Sequence, residues 1–319
     1  MSQPIPQYSH DEVHRLLDIG QCIDAVREAM AALTADGFEQ PLRSIITIAP
    51  GQLFGLMPGV GRPDLGFGAK IVSVFADPGR AWRSAHRGVV VLFERGDGTL
   101  RCIADAESIT TIRTGCASAV ATAALAREDA RVLSIFGTGT QARSHALAVT
   151  RVRGFERLLL WGRDTSRAAA LQRELAPLHD LDIEVMSDGR AVAQAADVIC
   201  TVTGASTPIL FREWVRPGTH LNVVGSSFLG PVEVDGPLVR DSRFIADYRR
   251  SALAAASEFA LARQAGLVTD AHIVAEIGEV LLGRTPGRRN REEITLYKSL
   301  GHIVQDLAAA ACVHRAARR

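Results

Sequence analysis

Residues 132–149 read VLSIFGTGTQARSHALAV. An apolar run from Val132 to Phe136 stops at Gly137, and a helical pattern opens directly after Gly139. The spacing G-x-G-x-x-A gives each small residue a task. Gly137 permits a tight turn, Gly139 lets backbone approach a diphosphate, and Ala142 lets helix pack closely on strand. The diphosphate would rest on the helix N-terminus, where unpaired N–H groups and the dipole favour negative charge. Such a turn alone is weak evidence, but strand, turn, helix and a second strand, RLLLW at 157–161, follow in the required order. Residues Gly137, Thr138, Gly139, Thr140, Gln141 and Ala142 are therefore the expected contacts of a dinucleotide.

Working outward, the alternation continues with IEVM (183–186), GRAVAQA (189–195), DVICTV (197–202), HLNVVG (220–225) and RFIADY (243–248). Strands alternating with helices predict an α/β domain with a doubly wound parallel sheet, the Rossmann arrangement. A helix is expected over SALAAASEFALARQAG (251–266), and a last amphipathic helix from about Tyr297 to Arg315. Upstream the texture differs. RSIITIA, QLFGLMPG, GAKIVSVF, GVVVLFER and LRCIADA, between residues 43 and 106, are short β-type runs separated by Gly, Pro and Asp, which predicts a mainly antiparallel sheet. Ser9 with Glu12 forms a capping-box pattern ahead of an N-terminal helix, and a second helix is expected from about Ile23. His10 and His14 flank Glu12 in the wrong order for a metalloprotease helix, so no metal site is expected.

The end of the second strand chooses the cofactor. In RLLLWGRDTSR (157–167) Arg163 stands nearest the tip, with Asp164 behind it. An acidic residue there would bind a ribose diol, whereas an arginine pairs a 2′-phosphate. NADPH is thus the expected cofactor, with NADH also accommodated.

Composition excludes several classes. A formal net charge of +1 over 319 residues provides no footprint for nucleic acid. Cys22, Cys102, Cys116, Cys200 and Cys312 lack zinc or disulfide spacing, and neither a leader pattern nor a membrane-length apolar run is present. A cytoplasmic setting without membrane or nucleic-acid partners is expected.

Three cations lie where solvent exposure is an incomplete explanation: Arg43 after QPL, Lys70 inside GFGAKIVSVF, and Arg113 inside SITTIRTGCASAVA. A cation embedded among small and apolar residues needs an anionic partner or a ligand. Three of them upstream of a dinucleotide domain point to a carboxylate clamp.

The stretches PLR (41–43), GAKIVSVF (68–75), AHRGVVVLFE (85–94), SITTIRTGCASAVAT (108–122), IFGTGTQARSH (135–145), ADVICTVTGASTPIL (196–210) and GRTPGRRNREEITLYKSLGHIVQDLAAA (283–310) resemble the ornithine cyclodeaminase and mu-crystallin family over essentially the whole chain. The resemblance implies a homodimer. It also implies an α+β substrate and dimerisation domain over 1–118, completed by 298–319, and a dinucleotide domain over 119–297. By the same resemblance Arg43, Lys70 and Arg113 hold the substrate carboxylate, while His86, Arg113, Thr114, Thr201, Val202 and Thr203 lie near the cofactor. Members of this family act on α-amino or cyclic imino acids through hydride transfer at Cα.

The branch is read at NVVGSSFLG (222–230), where a strand tip places Val224 and Ser226 toward the cofactor and Ser227 after them. Cyclodeaminases of the family carry an aspartate where Ser227 stands. Without that carboxylate, cyclisation of a diamine lacks an obvious general base. Reduction of a preformed iminium needs chiefly a clamp and a hydride. The expected reaction is reduction of 1-pyrroline-2-carboxylate or 1-piperideine-2-carboxylate to L-proline or L-pipecolate, with Lys70 and Ser227 as catalytic residues. The alternatives are an ornithine or lysine cyclodeaminase that releases ammonia, and an alanine or imino-acid dehydrogenase. Leu229 and Pro231 depart from the family's usual loop, so ring size is open at this stage.

Overall fold

The computed structural model describes residues 4–35, 40–75, 86–178 and 180–319. The chain divides into two compact units, Met1–Cys116 with His302–Arg319, and Ala117–Gly301.

In the first unit six strands, β1 (Gln7–Tyr8), β2 (Ser44–Ala49), β3 (Gln52–Val60), β4 (Phe67–Phe75), β5 (His86–Phe93) and β6 (Leu100–Asp105), pair in the order β1-β6-β5-β4-β3-β2. All neighbours are antiparallel except β1 with β6. Along β4 every second residue, Gly68, Lys70 and Val72, is buried, as the period of a strand requires. The helix Ile303–Ala316 packs against β3, β4, β5 and β6 and against the helix Ile19–Ala35. It is buried continuously from Ile303 to His314, which explains a sequence with hardly any polar face. Gly68 makes the close approach possible, because a Cβ there would lie 1.9 Å from the Val91 carbonyl oxygen and 2.9 Å from Leu307 Cδ2. Ser9 and Glu12 do form a capping box at the helix His10–Leu16, and the following helix begins at Ile19, ahead of the expected Ile23.

The second unit carries eight parallel strands: β7 (Val132–Phe136), β8 (Arg157–Trp161), β9 (Asp182–Val185), β10 (Val198–Thr201), β11 (His220–Val223), β12 (Arg243–Ala246), β13 (Ile273–Glu276) and β14 (Thr295–Lys298). Their order, β13-β12-β14-β11-β10-β7-β8-β9, reverses direction between β7 and β10. That reversal is the switch point at which open α/β sheets bind ligands, beyond the carboxyl ends of the strands.

Two expectations need correction. Tyr297 does not start the last helix: Thr295–Lys298 is β14, inserted between β11 and β12, and the helix begins at Ile303 after the cap at His302. ITLY is a short apolar run buried on both faces, a pattern that periodicity cannot separate from a buried helix. The expected helix over 251–266 is two helices, Arg249–Ala255 and Ser257–Gln264, broken where Ala256 is extended.

Candidate active site

In the first unit the alternation of β4 aims Lys70 into the core, where it is 5% exposed. Its Nζ lies 3.2 and 3.0 Å from the two carboxylate oxygens of Asp306 and 3.4 Å from Thr110 Oγ1. Arg113, 4% exposed on the helix Ala106–Leu125, donates from Nε to Asp306 Oδ1 at 2.9 Å. Its Nη1 donates to Gln305 Oε1 at 2.7 Å. Both acceptors stand on the first turn of the helix Ile303–Ala316. Arg43, half-buried just before β2, belongs to the same electrostatic group.

The charges act on one another. Burial pushes the Lys70 ammonium down to about 8, against the upward pull of Asp306, and Arg113 and Arg43 add to the downward push. Burial alone would raise the Asp306 carboxyl; Arg113 and Lys70 outweigh it and hold the group below the ordinary carboxylate range. His302 is driven down to about 3 by burial, so it caps the helix as a neutral imidazole, its Nδ1 accepting from the Val304 N–H. The cluster therefore holds cations in excess of its one carboxylate. The buried cations expected from sequence are brought together here, with an internal partner, Asp306, that sequence reasoning did not identify. Thr114 turns its hydroxyl back onto its own helix, donating to the Thr110 carbonyl at 2.6 Å. His86 opens β5, and its side chain lies outside the described residues.

In the second unit Gly137 has φ +137°, and a Cβ there would lie 2.9 Å from the Val202 carbonyl oxygen. Only glycine meets both conditions. A Cβ on Gly139 would find no atom within 4 Å, and no side chain caps the helix Thr140–Val149 that starts after it. Ala142 is fully buried against the sheet. Open space over uncapped backbone N–H groups suits an anion. Gln141 carries a buried Oε1 that accepts no hydrogen bond among the described residues. The turn thus fits a dinucleotide diphosphate. At the tip of β8, Arg163 is exposed, while Asp164 caps the helix Thr165–Leu175, its Oδ1 accepting from the Ser166 and Arg167 N–H groups.

The tips of β10 and β11 are tied by buried groups that the sequence reading missed. Glu233 accepts from the Thr201 hydroxyl (2.8 Å), the Thr203 N–H (2.6 Å) and hydroxyl (2.8 Å), and the Gly225 N–H (2.7 Å). Burial raises its pKa. Ser226, expected to face the cofactor, is instead fully buried. It donates to Glu258 Oε1, and Lys298 Nζ lies 2.6 Å from its Oγ and 2.7 Å from its carbonyl oxygen. Lys298 in turn pairs with Glu258 at 3.1 Å. Val202 and Thr203 are half-buried, Val224 is buried, and Ser227 is half-buried.

The ornithine cyclodeaminase/mu-crystallin family model matches residues 7–319. Ketimine reductase mu-crystallin of Mus musculus is 35% identical over 279 residues, covering 87% of this chain and 85% of the mouse protein. The structure of Thermococcus litoralis Δ1-pyrroline-2-carboxylate reductase in complex with NADH and L-proline superposes with a TM-score of 0.94 at 28% identity, over 98% of each chain. An archaeal alanine dehydrogenase dimer with bound NAD superposes with a TM-score of 0.91 at 26% identity, over 98% of this chain and 96% of the other.

Proposed function

The chain belongs to the ornithine cyclodeaminase/mu-crystallin family, and on that premise we propose that it is a nicotinamide-dependent oxidoreductase that reduces the C=N bond of a cyclic 2-imino acid. The substrates are 1-pyrroline-2-carboxylate or 1-piperideine-2-carboxylate, and the products L-proline or L-pipecolate. The observation that carries this reading is the buried cluster of Lys70, Arg113 and Asp306, a positive site inside an apolar core.

When bound, the reduced nicotinamide supplies the hydride that the imine carbon accepts. Gly137, Thr138, Gly139, Thr140 and Gln141 would hold the dinucleotide diphosphate, with Ala142 packing the helix onto the sheet. Val202, Thr203 and Val224 at the strand tips would complete the cofactor contacts, while Thr201 and Ser226 are buried behind them and fix those tips. Lys70, Arg113 and Arg43 hold the substrate carboxylate and fix the orientation of the imine carbon. Fixing that geometry removes several kcal/mol of barrier, on the order of what effective-molarity measurements give. Ser227, with solvent water, relays a proton to the ring nitrogen. A serine at this position cannot take up the protons of a free diamine as a carboxylate would, which favours imine reduction over ammonia-releasing cyclisation.

NADPH is preferred over NADH, because Arg163 is exposed at the strand tip while Asp164 engages its own helix through Oδ1. The protein acts as a homodimer. The edge strand β2 supports this, since Ile45, Ile46 and Ile48 are 49%, 58% and 56% exposed there, an edge that single chains ordinarily cover or charge. The cytoplasm suits five cysteines that are all free and buried. No helix among the described residues is long and apolar enough to cross a membrane.

The test follows NADPH oxidation with 1-pyrroline-2-carboxylate, 1-piperideine-2-carboxylate, and pyruvate plus ammonia in parallel, with product identification. Proline or pipecolate as the main product is expected. Alanine as the main product, or ammonia released from ornithine or lysine, would replace the reading with a dehydrogenase or a cyclodeaminase.

A further inference from the structure

We propose that Asp306 is a positioning residue for the substrate carboxylate, locking Lys70 and Arg113 into one fixed array of donors and leaving that buried pair a single positive charge in excess. The inference rests on the reading that these cations hold a carboxylate. Asp306 is fully enclosed, and both of its oxygens face cations: Lys70 spans the two, and Arg113 Nε shares Oδ1. Gln305, its neighbour on the same turn, takes Arg113 Nη1, so two adjacent residues fix the guanidinium plane. Among the described residues Arg113 Nη2 makes no hydrogen bond, and Lys70 has Thr110 as its one neutral partner. Donors are therefore left over beside the internal carboxylate, whose Oδ1 takes both hydrogen bonds and whose Oδ2 meets Lys70 as an ion pair.

The charge balance distinguishes this arrangement from an ordinary buried ion pair. One lysine against one aspartate would be neutral and closed, whereas two cations against one aspartate match the addition of one substrate carboxylate. Asp306 also stands on the first turn of its helix, where the dipole favours an anion. The charged and titratable groups around Lys70 are Asp306 and the neutral His302 on that helix, Arg113 on the helix Ala106–Leu125, and Arg43 ahead of β2. Of these Asp306 is the one that favours the ammonium form, the form able to hold a carboxylate. Lys70 loses its proton as pH rises through about 8, so activity falls on the alkaline side. Without Asp306 that limb moves to lower pH.

The experiment is a double-mutant cycle of Lys70→Met, Asp306→Asn and the combined variant, with kcat/KM for 1-pyrroline-2-carboxylate followed against pH and L-proline affinity measured by calorimetry in the presence of NADP+. Asp306→Asn should lower kcat/KM roughly 100-fold and shift its alkaline limb down by about one pH unit. Adding Asp306→Asn to Lys70→Met should cost clearly less than the roughly 100-fold that it costs alone, the remainder being the release of Arg113, because residues that act through one another are not additive. Penalties that multiply, or an alkaline limb that stays in place, would overturn the role of Asp306. If Asp306→Asn alone does not fold, the combined variant, which removes the pair whole, is compared with Lys70→Met and decides the question. A wild type that binds L-proline without reducing the imino acid fails the proposed reaction, and the cycle is then read in L-proline affinity. A wild type that neither reduces the imino acid nor binds L-proline overturns both readings.

Discussion

Lys70, Arg113 and Asp306 in the first unit, and Lys298, Glu233 and Glu258 in the second, are all buried to 5% exposure or less, yet the two groups are assembled in opposite senses. Around β10 and β11 two carboxylates face one lysine. The Glu233 oxygens are taken by Thr201, Thr203 and Gly225, and Ser226 joins Glu258 to Lys298. The Glu233 oxygens are spent on fixing two strand tips, while Glu258 Oε2 meets Lys298 as an ion pair and accepts no hydrogen bond among the described residues. Around Asp306 two cations face one carboxylate, and donors remain. Burial of charge by itself therefore does not mark a ligand site. What separates the two is the sign of what is left over: donors and positive charge around Asp306, carboxylate around Lys298, and only the first matches an incoming carboxylate.

Substitutions can break this contrast or sharpen it. The largest effect is expected from Lys70→Ala. It should lower kcat/KM by about a thousandfold, within the range seen when a group that stabilises the transition state is deleted. Its NADPH affinity, followed by fluorescence titration, should stay within about twofold of wild type. A fully active variant would place Lys70 in a purely internal pair. Lys298→Met should act on the fold instead, because it strands Glu258 without its cation. The loss expected in a urea unfolding experiment is about 3–5 kcal/mol, and a loss under about 1 kcal/mol, typical of a surface pair, would mean that the strand-tip group is not the structural unit described. The smallest effect is expected from Arg163→Ala, at an exposed position outside both groups. There KM for NADPH should rise about tenfold, the scale of one charge-assisted contact, with KM for NADH unchanged. An equal rise for both cofactors would remove Arg163 from the choice between them.

Much of this molecule could be read from local pattern. The glycine turn at 137–142, the alternation that follows it, and the antiparallel texture of 43–106 all depend on neighbours close in the chain, and each appears where it was expected. The embedded cations were legible because Lys70 and Arg113 interrupt apolar or small-residue stretches. What was misread had no local signature. ITLYK is as compatible with a helix as with a strand until β11 and β12 are placed on either side of it. Ser226 is expected to face the cofactor because nothing near it in the chain reveals Glu258 and Lys298, its partners 32 and 72 residues away.

The glycine turn, the α/β class of the second unit and the presence of buried cations could be read locally, because steric limits at glycine and the periods of helix and strand operate over a few residues. What those cations meet is set by contacts far apart in the chain. Asp306 lies 236 residues from Lys70 and 193 from Arg113, and the helix that carries it reaches them because β4 offers Gly68 where any larger residue would hold that helix away.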